Sequence, residues 1–224
     1  MKNLSIIIPV FNKFNFTKTC LKDLSHLPND HEIIVFDNGS VDDTRSQLYN
    51  SKEIKYIRSE VNLGFAKGCN TGYAYSESSN VLFLNNDIKV RENHTSWTQE
   101  LIKLCPQGLV GPTMGQLDNS LNFIKEANEL LSGKSYMSGW CLASSKDIWS
   151  KLIINSYLGP FSEEFGLAYF EDTDLSFRAK KLNIAMNIVN IPVVHFGKQS
   201  SSQINTHMLY KGAKEIFVKK WLGK

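Results

Sequence analysis

The chain has 224 residues, 42% of them hydrophobic and 21% charged, with a net charge of +3. This is ordinary globular composition, long enough for one large domain or two small ones, and too weakly basic to argue for nucleic acid as a partner. No run of about 18 apolar residues occurs, so no membrane span is predicted. Pro9 cuts the apolar run near the start and no small-residue cleavage site follows, so no signal peptide is predicted either.

Residues 4–11 read as a strand: Ile6, Ile7, Ile8 and Val10 are β-branched, and Pro9, which cannot donate to a ladder, marks the exit. A turn over 12–16 leads to a helix over 17–27, with Cys20, Leu21, Leu24 and Leu27 on one face. Residues 32–37 form a second strand ending in Asp37, and Ser40 or Asp42 can cap the helix that follows. A short strand over 54–58 completes an alternation that predicts βαβ units and a parallel sheet. Gly64, Gly68 and Gly72 then fall four apart, which suits close approach of backbone to a strand or a ligand. Neither a P-loop nor a dinucleotide fingerprint is present.

Val81, Leu82, Phe83 and Leu84 read as a fully buried strand, followed at once by Asn85, Asn86 and Asp87. Such a strand lifts a carboxylate out of the core at its carboxyl end. That edge is where open α/β sheets bind ligands, and a carboxylate there suits a hard divalent cation and, through it, phosphates.

A helix is expected over 96–105 and a strand over 108–113. Residues 118–134 read as loop with short elements. A strand carrying Gly139 and Trp140 is expected over 136–143, then a short helix over 146–152. The aromatic stretch 157–170 suits a loop over a pocket. A helix over 171–182 opens with Glu171, Asp172 and Asp174, which the helix dipole favours. A strand over 183–191 and an extended piece over 192–196 follow, with His195 at its end. Residues 203–222 read as a basic amphipathic helix. Cys20, Cys69, Cys105 and Cys141 lie far apart with no Cys-x-x-Cys pair, which argues against zinc and disulfide frameworks and for a reducing cytosol.

Asp37, Asp87 and the Glu171-Asp172 pair all fall at strand ends or a helix start, and His195 joins them late. Carboxylates after successive parallel strands line one edge of the sheet. That arrangement suits a metal-bound diphosphate with a separate carboxylate left as general base.

Five ordered motifs resemble family 2 glycosyltransferases of the GT-A fold, over residues 5 to about 201. They are Ser-Ile-Ile-Ile-Pro-Val-Phe-Asn at 5–12, Asp-Asn-Gly-Ser at 37–40 with Asp43, Asn-Leu-Gly-Phe-Ala-Lys-Gly-Cys-Asn at 62–70, Leu-Asn-Asn-Asp at 84–87, and Phe-Glu-Asp-Thr-Asp-Leu-Ser-Phe-Arg at 170–178. Within the family the chain is most similar to bacterial transferases that build rhamnan, O-antigen or capsule chains. The fold implied is α/β: a Rossmann-like, mostly parallel sheet flanked by helices. A single domain spans 1–224, with a nucleotide-sugar half (about 1–90), an acceptor and catalytic half (about 91–202) and the basic helix (about 203–224).

The resemblance also implies roles. Pro9, Val10 and Phe11 border the base and ribose, and Asp37 hydrogen-bonds one of them. Asn62, Gly64 and Lys67 lie near the nucleotide, and Asn85 and Asn86 complete the donor side. Asp87 binds the divalent cation, Mg2+ or Mn2+, that bridges the diphosphate, and His195 joins the metal or the diphosphate. Asn85 stands where the family's Asp-x-Asp has its first acid, so it brings an amide oxygen and no charge. Asp172 is the catalytic base, with Trp140 and Glu171 on the acceptor side. Arg178 pairs with nearby acids.

The implied reaction is inverting transfer from a UDP-, dTDP- or GDP-sugar to a glycan or lipid-linked acceptor in bacterial surface polysaccharide synthesis. The expected place is the cytoplasm, with peripheral contact at the inner face of the cytoplasmic membrane through the basic helix. Two other classes remain open on the residues alone: a sugar nucleotidyltransferase, and a catalytically weak nucleotide-sugar-binding module of a larger assembly.

Overall fold

The computed structural model describes residues 2–91, 96–197 and 206–223. In chain order its strands are β1 (Leu4–Val10), β2 (His31–Asp37), β3 (Lys55–Arg58), β4 (Asn80–Leu84), β5 (Ile88–Val90), β6 (Gly108–Gly111), β7 (Met114–Leu117), β8 (Phe123–Ala127), β9 (Ser135–Met137), β10 (Cys141–Ser145), β11 (Ala185–Ile188) and β12 (Val193–His195). The helices are α1 (Phe14–Leu24), α2 (Thr44–Leu48), α3 (Phe65–Ala74), α4 (Trp97–Leu104), α5 (Lys146–Lys151), α6 (Glu171–Lys181) and α7 (Thr206–Leu222), with 3-10 turns at Cys105–Gln107 and Glu163–Phe165.

Seven strands form the central sheet in the order β11-β6-β10-β4-β1-β2-β3. Strands β4, β1, β2 and β3 run parallel, as do β11 and β6, while β10 is antiparallel to both its neighbours. Side chains alternate across the sheet. Ile6, Ile8, Leu82 and Leu84 join one buried cluster, and Ile7, Ile34, Val81 and Phe83 join the other. Both faces are covered, so β1 is apolar without alternation from Ile6 to Val10, and β4 from Val81 to Leu84.

Two of the three glycines spaced by four lie against this sheet. A Cβ at Gly72 would sit 2.4 Å from Ile7 Cγ2, and one at Gly68 would sit 3.1 Å from both Phe36 and Asn38. The close approach is therefore helix to strand. Gly64 differs: its φ of +89° precedes α3, and a Cβ there would lie 2.5 Å from the Gly166 carbonyl.

Two sequence expectations need correction. Helix α1 begins at Phe14, three residues before the expected start. Asn12 and Lys13 turn left-handed, and Asp42 Oδ2 accepts the Phe14 N–H at 2.9 Å, so the cap comes from a loop 28 residues away. The strand expected over 136–143 is broken at 138–140 into β9 and β10, which belong to different sheets. Residues 118–134 hold a short strand, as expected: β8 pairs antiparallel with one side of β7, whose other side pairs with β9. Positions 203–205 and 224, part of the expected basic helix and its tail, lie outside the described residues.

Candidate active site

The carboxyl ends of β1 and β2 are laced together. Asn38 N–H donates to the Val10 carbonyl at 2.8 Å, Asn12 N–H to Ser40 Oγ at 2.8 Å, and Val41 N–H to Asn12 Oδ1 at 2.8 Å. Val10 is buried, while Pro9 and Phe11 are half-buried at this edge. Asp37 is wholly enclosed: Oδ1 accepts from Ser40 N–H at 2.8 Å, and Oδ2 takes the Tyr56 hydroxyl and the Arg58 guanidinium. Burial first, and then Asp37, push the Tyr56 phenol up to about 12. Asn38 also grips the next loop, accepting from Leu63 N–H and donating to the Gly64 carbonyl, both at 3.0 Å. Asn62 Oδ1 closes that loop by accepting from Gly64 N–H at 2.9 Å, and Lys67 is exposed on α3. A cavity of about 400 Å³ opens beside this edge, lined by Asn12, Lys13, Val41 and Asp42 among others.

The end of β4 divides its three polar residues. Asn86 is buried and donates to Thr17 Oγ1 on α1 at 2.9 Å, so it fixes the helix. Asn85 and Asp87 meet His195 instead: Asp87 Oδ1 lies 3.1 Å from His195 Nε2, and the Asn85 amide lies 3.3 Å from the same atom. The two-stranded sheet brings them together, because β12 runs antiparallel to β5 with His195 opposite Ile88. The His195 ring stacks on Trp140, with centroids 4.8 Å apart and planes 9° from parallel.

These residues fit a divalent cation. With Nε2 unprotonated, two lone-pair atoms, Nε2 and Asp87 Oδ1, face each other at 3.1 Å. A cation satisfies both, and ligand atoms at right angles about 2.1 Å from Mg2+ sit about 3 Å apart. Turning the Asn85 amide adds an oxygen, since its O and N are interchangeable by rotation. Among the described residues no three of His, Cys, Asp and Glu gather at one point, so a cation here would take its third protein donor from this amide.

The turn that carries Asp172 lies across the cavity. Tyr169 and Phe170 both have positive φ, 81° and 68°, before α6 begins at Glu171. Such backbone costs of order 1–3 kcal/mol per residue and persists where packing over-determines it. Here Tyr210 and Phe217 of α7 pack against the two rings. The turn presents Asp172, whose Oδ2 accepts Gly139 N–H at 2.9 Å and whose Oδ1 accepts Thr173 N–H at 2.7 Å. Burial lifts the Asp172 carboxyl above the usual carboxylate range, against these hydrogen bonds, which favour the ionised form. Glu171 is 4% exposed, and burial together with Asp172 pushes its carboxyl up to about 8. Its Oε1 has no hydrogen-bond partner among the described residues.

One cavity of about 340 Å³ holds Asn85, Gly139, Trp140, Glu171, Asp172 and His195, with Tyr136, Tyr169 and Tyr210 on its walls. Asp87 adjoins it through His195. Pro9, Val10, Phe11, Asp37, Asn62, Gly64 and Lys67 are not among the lining residues, and belong to the neighbouring sheet edge. Sequence reasoning missed Asn38, Tyr56 and Arg58, which tie that edge together, and Tyr210, which reaches the cavity from α7. Arg58 ends β3 in register with Asp37, and that pairing was the available signal.

The family model described as "Glycosyl transferase family 2" matches residues 5–134. The chain belongs to this family. Its fold is that of a mannosyltransferase from Pyrobaculum calidifontis, solved with GDP-Man and Mn2+, at a TM-score of 0.61 and 14% identity over 84% of this chain. It is also that of TarS from S. aureus, residues 1–349, at a TM-score of 0.60 and 18% identity over 91% of this chain. The chain spans 54% of the first of those chains and 63% of the second. No curated protein matches it significantly. The family 2 match and these neighbours agree with the GT-A architecture: a mostly parallel seven-stranded sheet between layers of helices.

Proposed function

We propose that this family 2 chain is an inverting glycosyltransferase that moves a sugar from a UDP-, dTDP- or GDP-sugar to a hydroxyl of a glycan or lipid-linked acceptor, in bacterial surface polysaccharide synthesis. The observation that carries the reading is that Asp172, held by two backbone N–H groups, shares one cavity with the Asn85–His195 cluster.

In this reading the acceptor hydroxyl enters beside Asp172. The carboxylate takes the hydroxyl proton as the oxygen attacks the anomeric carbon, and the bond from that carbon to the diphosphate breaks on the opposite side. The electron pair leaves with the nucleoside diphosphate. Asp172 suits a base because burial moves its proton affinity toward that of the working pH. Gly139 and Thr173 hold it in one orientation. Glu171, neutral below about pH 8, offers a proton to a sugar hydroxyl inside the cavity. A Mg2+ or Mn2+ ion, held by Asp87, His195 and the Asn85 amide oxygen, would supply positive charge against the departing diphosphate. The Mn2+ and GDP-Man bound to the Pyrobaculum neighbour support this assignment. Pro9, Val10, Phe11, Asp37, Asn62, Gly64 and Lys67 take the nucleotide along the adjoining edge, with Asp37 acting from its closed network.

No helix of the described residues is long and apolar enough to cross a membrane. The reading includes peripheral contact with anionic lipid through the exposed Lys211 and Lys219 of α7.

The test is release of nucleoside diphosphate from a panel of UDP-, dTDP- and GDP-sugars with Mn2+, with and without glycan acceptors, for the wild type and Asp172→Asn. Transfer by the wild type and its loss in the mutant, about 10²–10⁴-fold, is the expected result. Equal transfer by both removes Asp172 as the base.

A further inference from the structure

The break between β9 and β10 is where the site is held together. Within 138–140, Gly139 N–H reaches Asp172, and the next residue, Trp140, reaches two groups of the opposite wall. The Trp140 carbonyl accepts Asn85 N–H at 2.8 Å, and the indole face lies on His195. The indole plane is fixed in turn. Its Nε1–H donates to Thr113 Oγ1 at 2.9 Å, the Thr113 hydroxyl donates to Glu126 Oε1 at 2.6 Å, and Ser138 Oγ donates to the same oxygen at 2.6 Å. Trp140 is 8% exposed, so this plate is rigid by packing as well as by hydrogen bonds.

His195 needs such a support. It ends a three-residue strand in a two-stranded sheet, and its side chain is 21% exposed. An imidazole there can rotate about its terminal torsion, which is broad and roughly two-fold. Only some orientations carry Nε2 to Asp87. A parallel aromatic face at 4.8 Å selects the ring plane. Metal-binding histidines depend on such outer supports, whose loss typically costs 10–100-fold in metal affinity.

We propose that Trp140 is the positioning residue of the cation set: its ring sets the plane of His195, and its carbonyl sets Asn85, while Asp87 supplies the charge. This rests on the assignment of Asp87, Asn85 and His195 to a divalent cation made above. It moves Trp140 from an acceptor contact to a support of the donor side.

The experiment titrates Mn2+ alone into the protein and follows the free-ion electron paramagnetic resonance signal. The variants are Trp140→Ala, Trp140→Leu, Trp140→Phe and Asp87→Ala, each checked for thermal melting. Trp140→Leu keeps apolar volume without an aromatic face, so it serves if the alanine variant does not fold. The expected result is Mn2+ affinity about 10-fold weaker for Trp140→Ala and Trp140→Leu, within about 3-fold of wild type for Trp140→Phe, and lost for Asp87→Ala. Wild-type affinity in folded Trp140→Leu, with binding lost in Asp87→Ala, overturns the role of Trp140 and leaves the cation assignment standing. Binding absent from the wild type, or unchanged in Asp87→Ala, overturns that assignment and this inference with it.

Discussion

Gly139 and Asp172 touch across 33 positions: the Gly139 N–H donates to Asp172 Oδ2 at 2.9 Å, and a Cβ at 139 would stand 3.0 Å from Asp172 Cβ. The glycine leaves room for Asp172 to come within hydrogen-bond reach of the strand break. Gly139 does not adopt a positive φ, so alanine is conformationally acceptable and the conflict is one of space. Gly139→Ala is expected to displace Asp172 by a few tenths of an ångström. Transfer should fall about 10-fold, the size of effect small misplacements produce, at a stability cost of about 1–3 kcal/mol from overpacking. Turnover within two-fold of wild type, with melting unchanged, rules out the steric argument.

Much of this arrangement was legible in the sequence. The strand–helix alternation through β4 was, because the centres of β1, β2 and β4 are continuous apolar runs, Ile6 to Val10, Ile33 to Phe36 and Val81 to Leu84. The Asn85-Asn86-Asp87 exit, the Glu171-Asp172 pair at a helix start and the pairing of Arg178 with a nearby acid, which is Asp174 at 2.8 Å, were read from local chemistry. What stayed hidden depends on distant partners. The contact between Asp87 and His195 spans 108 positions and rests on two three-residue strands, too short to carry a period. Strand β8 is exposed at four of its five positions, Phe123 and Ile124 included, so it shows no alternation to read. The bond from Asn86 to Thr17 was hidden as well, because Thr17 lies on a helix 69 positions earlier.

Glu171 makes a prediction about stability. Its carboxyl rises from 4.5 to about 8 on folding, with burial the main cause and Asp172 the second. The native state therefore binds the proton more tightly than the unfolded chain. Between about pH 4.5 and 8 the unfolded state is the less protonated one, so stability falls as pH rises through that window. At about 1.4 kcal/mol per unit the loss by pH 8 is roughly 4–5 kcal/mol. Glu171→Gln, which stays neutral, should remove this slope and melt higher than wild type at pH 8, with little difference near pH 4.5. A variant no more stable than wild type at pH 8 contradicts the buried neutral acid.

Asp174 ties α6 to the last helix. It is fully buried, with Arg178 Nε at 2.8 Å on one oxygen, and Lys220 Nζ at 2.8 Å and Trp221 Nε1 at 2.9 Å on the other. Trp221→Phe keeps the aromatic packing on Phe177 and Phe217 and removes one donor from an ionised acceptor. Hydrogen bonds to charged groups contribute about 1.5–3 kcal/mol, so urea unfolding should shift by that amount. Amide exchange over 169–174 should speed up as well, because α7 braces the left-handed turn before Asp172. A change under 0.5 kcal/mol with unaltered exchange denies α7 that bracing role.

The same contacts decide how a lipid test must be built. Removing 219–224 deletes Lys220, which pairs with Glu164 and Asp174, and Trp221, which bonds Asp174, so lost binding there could reflect a loosened fold. Lys214 donates to Asn122, and Ala213 and Phe217 face inward, as expected of a helix packed on the domain. Lys211 and Lys219 are exposed, with Met208 and Ile216 exposed on the same helix. Each lysine near an anionic surface adds about 1 kcal/mol, so the pair supports only weak, salt-reversible attachment. Cosedimentation with phosphatidylserine vesicles should exceed that with neutral vesicles at low salt and vanish at high salt. The double variant Lys211→Gln, Lys219→Gln, which leaves the Asp174 contacts intact, should lower it by about 10-fold or more. Equal cosedimentation with neutral and anionic vesicles leaves α7 as a packing helix alone.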